Sequence, residues 1–293
     1  MSLPATLADA LAAETGRALT GARRVGGGDI NDAWAVDFDG GGRAFVKTRA
    51  GAPAGEYAAE AAGLRWLAEP GALRVPGVVA LRDGDDGPRF LALAWIEAHP
   101  PARLGLEGEE ELGRGLAALH AAGAPAFGGD RPLHLGPLRV PNEPAGDWPS
   151  FYAERRLRPL LRRAADAGSL SPSGAEAVER VCARLPELAG PPEPPARLHG
   201  DLWSGNVLAG ADGRPWLIDP AAYGGHREVD LAMLQLFGAP GPRVLGAYDE
   251  VHPRAAGHEE RVALWQLFPL LVHAVLFGGG YGASVERAAR RYA

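Results

Sequence analysis

The segment at residues 198–220, LHGDLWSGNVLAGADGRPWLIDP, constrains the fold of this 293-residue chain more than any other part of it. Asp201 is followed five residues later by Asn206, and Asp219 comes thirteen residues after that, at the end of the apolar triplet WLI. We expect these three oxygen-bearing side chains to converge from two neighbouring loops on one divalent cation and one incoming hydroxyl. The fold must therefore bring both loops to a shared crevice.

This spacing is typical of phosphoryl transfer. That reaction needs a carboxylate to orient the attacking hydroxyl and accept its proton, and oxygen ligands for a Mg²⁺ that bridges the nucleotide phosphates. In the kinase catalytic loop an Asp supplies the first group, and an Asn five residues later joins a second Asp in holding the metal. The pattern predicts Asp201 as the base, Asn206 and Asp219 as metal ligands, and ATP and Mg²⁺ as cofactors.

Lys47 is the only lysine among the 30 lysines and arginines of the chain. A compact ammonium retained amid so many arginines indicates a geometric need that a planar guanidinium does not meet. Lys47 ends the stretch AFVK, which follows the glycine turn at 40–42 and reads as a strand. Kinases place there the lysine that contacts the nucleotide phosphates. The alternative is one surface lysine that survived by chance.

A glycine-rich segment, GGGDIN at 26–31, precedes the Lys47 strand. Glycine lets backbone N–H groups approach phosphates closely, so we expect Gly27, Gly28 and Asp29 to contact the nucleotide. Taken alone, the segment fits a flexible turn equally well, and its position before the strand is what favours the nucleotide site.

An alanine-rich helix predicted over 55–69 supplies a partner for the lysine. Glu60 lies thirteen residues after Lys47 and is the expected partner. Glu56 and Glu69, in the same helix, are competing candidates.

The pattern of elements predicts an α+β fold of two lobes. Strands at 33–36, 44–47, 75–79 and 90–95 indicate a small, β-rich nucleotide-binding N-lobe over 1–97, whereas helical periodicity dominates a catalytic and substrate-binding C-lobe over 98–293. A proline-rich break at 99–101 fits a hinge between them, and we expect backbone groups of Ala94 and Ile96 to read adenine there. Residues 123–148, rich in Gly and Pro, are expected to form a surface loop.

Composition narrows the class of protein. The net charge of −6 and pI near 5.8 argue against nucleic-acid binding as its role. No run of 18 apolar residues occurs, so no membrane span is expected. Cys182 is the single cysteine, which precludes an intrachain disulfide and favours a reducing cytoplasm. The sequence indicates no oligomeric state.

The runs HGDLWSGN and IDPAAYGGHREVDLAM resemble the fructosamine/ketosamine-3-kinase family, within the aminoglycoside phosphotransferase-like, protein-kinase-like fold. The segments FVK, EAAGL, LGRGLAALH, DWPSFYAERRLRP and WQLFPLLVHAVLFGGGY extend the likeness over nearly the whole chain. The resemblance implies ATP-dependent phosphorylation of the 3-hydroxyl of ketosamine small molecules or glycated amines. The 3-phosphate product is unstable and frees the amine, which repairs glycation.

The resemblance also implies roles for individual residues. Asp201 would be the base, and Trp203 would stack on the sugar, with ordinary loop packing as its alternative. His273 would line the same pocket, or serve as a core histidine. His226 and Arg227 are expected to brace the loop. Some eukaryotic members carry a redox-sensitive cysteine in the glycine-rich loop where this chain has Asp29, so no such switching is expected.

Other functions remain open at this point. A kinase of the same fold acting on an aminoglycoside, choline or homoserine is the nearest, although the several arginines at 139–158 disfavour a pocket for cationic aminoglycosides. A nucleotide-binding module without catalysis is disfavoured because the lysine, base and metal residues are all present. A protein kinase is disfavoured because no APE-like stretch follows Asp219.

Overall fold

The structure is a computed structural model that describes residues 3–26, 31–98, 103–238 and 241–293. A five-stranded antiparallel sheet with two helices forms the N-terminal part, and helices dominate the remainder. The predicted α+β bilobal fold is confirmed. The sheet ends at Ala94, and the next helix begins at Leu106.

The N-lobe sheet has the strand order β1-β2-β3-β5-β4. Its elements are α1 (Ala5–Thr15), β1 (Leu19–Val25), β2 (Asp32–Phe38), β3 (Arg43–Thr48), α2 (Glu56–Ala68), β4 (Val78–Arg82) and β5 (Phe90–Ala94). The tight β2–β3 connection depends on Gly40, Gly41 and Gly42, whose φ angles of 75°, 88° and 93° are left-handed. Only glycine adopts three such conformations in succession without steric cost.

The two faces of this sheet pack against different helices. Along β5, Phe90 and Ala92 join the apolar cluster that includes Leu11 of α1, whereas Leu91 and Leu93 join the cluster that includes Leu64 of α2. This alternation is the period of two expected of a strand buried on both faces. Along β3 it sends Ala44 and Val46 toward α1, which leaves Phe45 and Lys47 on the α2 face, where the interlobe cleft lies.

The C-lobe is built around two clusters of buried apolar side chains, one that contains Trp265 and one that contains Leu116. Its elements are α3 (Leu106–Ala121), β6 (Leu133–Leu135), β7 (Leu138–Val140), α4 (Trp148–Phe151), a π-helical turn (Tyr152–Leu157), α5 (Arg158–Asp166), α6 (Pro172–Leu188), β8 (Ala196–Leu198), a 3₁₀ turn (Ser204–Asn206), β9 (Val207–Ala209), β10 (Pro215–Leu217), β11 (Tyr223–Gly225), α7 (Glu228–Leu234), α8 (Pro242–Val251), α9 (His258–Trp265), α10 (Leu267–Phe277) and α11 (Tyr281–Ala289).

One local expectation needs correction, and one long apolar segment divides into two helices. The segment 123–148 is not wholly irregular, because β6 and β7 form a hairpin within it. The apolar helix at 259–277 divides at Gln266, three residues before Pro269. Proline has no N–H to donate to the carbonyl four residues earlier, and the hydroxyl of Tyr152 donates to that carbonyl of Trp265 instead, at 3.0 Å.

Residues His258–Phe277 meet the length and hydropathy of a membrane span, with a mean hydropathy of 1.3. However, 56% of that window is buried inside the protein. Its two helices pack in the C-lobe core, where Trp265 and Leu271 are fully enclosed. This is the environment of a core helix in a folded lobe.

Candidate active site

The catalytic loop starts at the end of β8 and is held from below by Asp230. The carboxylate of Asp230 accepts the backbone N–H groups of His199 at 2.7 Å and Gly200 at 2.9 Å, and lies 3.2 Å from His120 Nε2. These contacts fix the backbone at the start of the loop. Gly200 has a φ of 82°, and a Cβ there would lie 1.8 Å from the Ala221 carbonyl oxygen.

His199 joins the catalytic loop to the loop that carries Asp219. Its Nε2 lies 2.9 Å from the carbonyl oxygen of Ile218, and its Nδ1 lies 3.3 Å from the backbone N–H of Asp201. A carbonyl only accepts and an N–H only donates, so the proton sits on Nε2. Burial lowers the pKa of His199, which keeps the ring neutral for this arrangement.

Asp201 and Asn206 contact each other directly. The Asn206 amide nitrogen donates to the Asp201 backbone carbonyl at 2.8 Å and to its Oδ2 at 3.1 Å. Burial first, and then the neighbouring Asp219 carboxylate, raise the pKa of Asp201 to about 7. A carboxylate with such a pKa is matched to accepting a proton near neutral pH.

Asp219 follows β10 in a strained conformation. Its φ of 52° is the only left-handed value at a non-glycine residue in the described ranges. The strands and loops on either side hold it there, since Ile218 donates its N–H to the Asn206 carbonyl at 3.0 Å. The side chain is about half exposed and accepts a hydrogen bond from Lys47 Nζ at 3.0 Å. Strain of this kind concentrates at functional sites.

Lys47 forms an ion pair with Glu60 as well as with Asp219. The competing acids are engaged elsewhere, Glu56 with Arg49 and Glu69 with Arg197. Burial would by itself lower the pKa of Lys47, but the two carboxylates outweigh it and raise the pKa above the ordinary lysine value. The ammonium therefore stays charged in the cleft.

A cavity of about 1200 Å³ between the lobes unites these groups. The predicted site residues among those that line it are Lys47, Glu60, Asp201, Trp203, Asn206, Asp219 and His273. Gly27, Gly28 and Asp29 lie outside the described residues. Ala94 and Ile96 are not among the lining residues, and the N–H of Ala94 donates to the Gly77 carbonyl at 2.7 Å. That N–H is consequently unavailable to adenine, whereas contacts of the Ala94 carbonyl and of Ile96 with adenine stay predictions.

Aromatic rings cover the part of the cavity beyond the catalytic loop. The Trp203 side chain is 37% exposed, and its ring lies 6.4 Å from that of Phe237. The His273 ring lies 4.6 Å from Phe237 and 5.0 Å from Tyr281, all measured between centroids. Trp203 and His273 thus belong to one aromatic surface on the way out of the cleft.

His226 and Arg227 lie beneath the site and are absent from the cavity lining. The Arg227 guanidinium donates to both carboxylate oxygens of Glu193, at 2.7 and 2.8 Å, and to two backbone carbonyls. The His226 ring stacks on Trp265 at 5.3 Å. These contacts are internal to the lobe, in keeping with a bracing role.

Sequence reasoning missed several lining residues. Arg131 and His134 reach the cavity from the segment that contains the β6–β7 hairpin, and Phe277 and Tyr281 reach it from the end of α10 and the start of α11. The first pair sits in a glycine- and proline-rich stretch without periodicity. The second pair reads as the apolar face of a core helix, so local pattern carried no signal for either pair.

The donor set fits a magnesium ion. Asn206 directs its amide nitrogen to Asp201, and no hydrogen bond to its Oδ1 occurs among the described residues. That oxygen and the half-exposed carboxylate of Asp219 are the hard oxygen ligands that Mg²⁺ prefers. The nearby Lys47 ammonium donates to Asp219 Oδ1, which leaves the second carboxylate oxygen of Asp219 as a possible metal ligand.

Comparison with known proteins gives one consistent family. A family model described as "Fructosamine kinase" matches residues 4–292. The "probable ketoamine kinase" of Thermus thermophilus is 38% identical over 263 residues, which are 89% of this chain and 90% of that protein. The "protein-ribulosamine 3-kinase, chloroplastic" of Arabidopsis thaliana is 34% identical over 263 residues, which are 89% of this chain and 78% of that protein.

Solved structures agree with these sequence matches. A candidate fructosamine-3-kinase from Thermobifida fusca superposes with a TM-score of 0.89 at 45% identity, and the match covers 98% of each chain. An aminoglycoside phosphotransferase in a ternary complex with ADP and hygromycin B superposes with a TM-score of 0.65 at 18% identity, covering 98% of this chain and 99% of that one. At that identity the second likeness shows the fold alone.

Proposed function

Because the chain belongs to the fructosamine kinase family, we propose that it transfers the γ-phosphate of ATP to the 3-hydroxyl of a ketosamine. The observation that carries the proposal is the convergence of Asp201, Asn206 and Asp219, with Lys47, on one cleft between the lobes. The relatives named above supply the substrate class, a ketoamine or a protein-bound ribulosamine.

In the proposed reaction Asp201 orients the 3-hydroxyl and takes its proton as the oxygen attacks the γ-phosphate. Asn206 keeps the carboxylate in place through its hydrogen bond to Oδ2. Asp230 and His199 fix the backbone of the loop, so the base is held in position before substrate arrives. Such preorganisation is the main contribution a protein makes to phosphoryl transfer.

The nucleotide side of the cleft is assigned to Lys47 and the metal ligands. Lys47, oriented by Glu60, would contact the phosphates of ATP. Asn206 Oδ1 and the Asp219 carboxylate would hold Mg²⁺, which when bound neutralises charge on the phosphates. In this structure Lys47 Nζ contacts Asp219, and the phosphates would offer it a further set of anionic partners.

On the substrate side, Trp203 would stack on the sugar and His273 would line the same pocket, as the family resemblance implies. The 3-phosphate of a ketosamine decomposes and frees the amine, so the reaction would remove sugar from glycated amines. A cytoplasmic location stays a prediction, and one relative carries a chloroplastic name.

An ADP-release assay tests this function. The wild-type protein is incubated with ATP and with ribulosyl-lysine, fructosyl-lysine, kanamycin or choline, each with and without Mg²⁺. We expect turnover on a ketosamine that requires the metal and is lost in Asp201→Asn. Turnover of kanamycin or choline without turnover of either ketosamine would overturn the proposed substrate class and favour the related kinases of this fold.

A further inference from the structure

The rim of the cleft carries an aromatic side chain that the proposed reaction has not used. The large hydrophobic side chains exposed in the described part of the chain are Val79, Leu106, Trp203, Val251 and Phe277. Two of them, Trp203 and Phe277, line the same cavity as Asp201. Phe277 is the most exposed of the set, at 57%. A large apolar side chain left open at the mouth of a binding cavity indicates a ligand that covers it.

Phe277 belongs to a continuous series of rings. Its centroid lies 5.4 Å from that of His273 and 6.4 Å from that of Tyr281. His273 in turn lies 4.6 Å from Phe237, which contacts Trp203. We call Phe237, Phe277 and Tyr281 the aromatic rim. The series begins two residues past the catalytic base and ends at solvent.

The residues that α10 and α11 contribute to the cavity lining include no carboxylate, lysine or arginine. The lining residues from α10 and α11 are Val272, His273, Leu276, Phe277 and Tyr281. His273 Nδ1 lies 2.8 Å from the Pro269 carbonyl oxygen, which can only accept, so Nδ1 carries the proton. The surface therefore offers apolar area, one ring nitrogen, Nε2, as an acceptor, and the hydroxyl of Tyr281. It has the composition of a largely apolar subsite with few polar groups.

The chemistry of a ketosamine says which part of the substrate reaches this surface. The reacting hydroxyl is on C3 and the amine nitrogen is on C1, so the amine substituent leaves the sugar two carbons from the reacting oxygen. With the 3-hydroxyl at Asp201 and the sugar beside Trp203, a substituent that leaves C1 away from the phosphates enters the next part of the cavity. The aromatic rim continues the cavity surface from Trp203.

We propose that the aromatic rim binds the amine-derived part of the ketosamine and selects substrates whose amine carries an apolar or aromatic group. This inference rests on the proposed function and adds the substrate class to it. Phe277 is the specificity-determining residue, because its exposed ring offers the largest uncovered area. The rim acts on the group attached to nitrogen and takes no part in the phosphoryl transfer itself.

Two substrates that differ only in that group test the inference. We compare the ribulosamines of 2-phenylethylamine and of ethanolamine by ADP release. Wild-type kcat/KM is expected to be about tenfold higher for the phenylethyl compound, the size of effect that a well-packed apolar group gives. Phe277→Ala should reduce this preference to about twofold or less, while kcat/KM for the ethanolamine compound stays within about twofold. Phe277→Tyr, which keeps the ring, should retain the preference.

Matched controls separate this outcome from a general defect. Val251→Ala removes a side chain that is 50% exposed and absent from the cavity lining, and it should leave both substrates unchanged. Tyr281→Ala gives a second variant should Phe277→Ala fold poorly, and it should lower the phenylethyl preference in the same direction.

The outcomes of this experiment distinguish failure of the inference from failure of the proposed function on which it rests. An unchanged preference in Phe277→Ala, or an equal loss on both substrates, would overturn the rim as the amine subsite while leaving the ketosamine kinase in place. Absence of turnover on both ribulosamines by the wild-type protein would instead overturn the proposed function, and the inference with it.

Discussion

At the scale of the residue, most polar atoms of the site form a hydrogen bond or an ion pair with another residue of the site. Asn206 directs its amide nitrogen to Asp201, and Asp230 accepts two consecutive backbone N–H groups. Asp201, Asn206 and Asp219 could be predicted because their chemistry is expressed in spacing along a short segment. Phe277 could not, because its exposure depends on the meeting of α10 with the cleft.

The first prediction concerns Asp201, the proposed base. Asp201→Asn keeps the size of the side chain and removes the proton acceptor, so kcat should fall by about 10²–10⁴-fold. ATP affinity should change little, because Lys47 and Asp219 are untouched. Single-turnover kinetics and a nucleotide titration measure the two quantities. Turnover close to wild type would show that another group accepts the proton.

The second prediction concerns the single lysine. Lys47 Nζ contacts Glu60 and Asp219 from one compact ammonium in a nearly closed environment, with 6% of its side chain exposed. Lys47→Arg keeps the charge but requires a planar, larger group there, so kcat/KM for ATP should fall at least about tenfold, which corresponds to about 1.4 kcal/mol. Arg180→Lys, at a side chain that is 55% exposed, is the matched control and should be silent. Equal rates for the two variants would mean that the retained lysine is accidental.

At the scale of the element, short strands and loops position the site more than long helices do. The three-residue strands β8 and β11 pair with each other and set where the catalytic loop begins and where the Asp219 loop ends. The long helices and four of the five N-lobe strands could be predicted from their periodicity. The exception is β1, whose sequence LTGARRV shows no alternation of apolar and polar residues. The β6–β7 hairpin could not, because three-residue strands in a glycine- and proline-rich segment show no period.

Gly200 provides the prediction at this scale. It has a left-handed φ of 82°, and a Cβ would meet the Ala221 carbonyl oxygen at 1.8 Å, so Gly200→Ala must displace either the catalytic loop or the Asp219 loop. Gly213→Ala is the control, since its φ is 77° and nothing lies within 4 Å of the added Cβ. The control should cost about 1–2 kcal/mol of unfolding free energy, the cost of the conformation alone. Gly200→Ala should cost more and abolish turnover, as urea unfolding and the ADP assay would report; equal costs would contradict the contact.

At the scale of the whole molecule, the two lobes differ in how they support the cleft. The N-lobe contributes Lys47 from a sheet packed on both faces, and the C-lobe contributes the proposed base, the proposed metal ligands and the aromatic surface from a larger helical core. That core buries polar groups as well as apolar ones. Glu228 accepts hydrogen bonds from Arg261 and from the Trp265 indole, and His226 stacks on the same indole. The stability of the lobe that carries the site therefore depends on titratable side chains, such as Glu228 and His226, that lie outside the site.

The stability of the C-lobe should fall with acid partly through His226. Burial lowers its pKa below the ordinary 6.5, while Glu228 and Glu193 oppose that shift and Arg227 and Arg261 add to it. In the unfolded chain the ring takes up a proton near pH 6.5, whereas in the folded lobe it stays neutral to lower pH. Its contribution to stability is thus complete above pH 6.5 and is lost as the pH falls through the lowered folded pKa.

The variant His226→Gln isolates this contribution, because Asp201, whose pKa is raised, titrates identically in both proteins and cancels in the comparison. Between pH 6.5 and 5.5 the wild-type protein should lose up to about 1.4 kcal/mol more unfolding free energy than the variant, the limit for one proton per pH unit. Urea unfolding of both proteins at several pH values measures the difference. Parallel pH profiles would mean that the folded lobe protonates His226 as readily as the unfolded chain does, and that the stacked ring on Trp265 tolerates a charge.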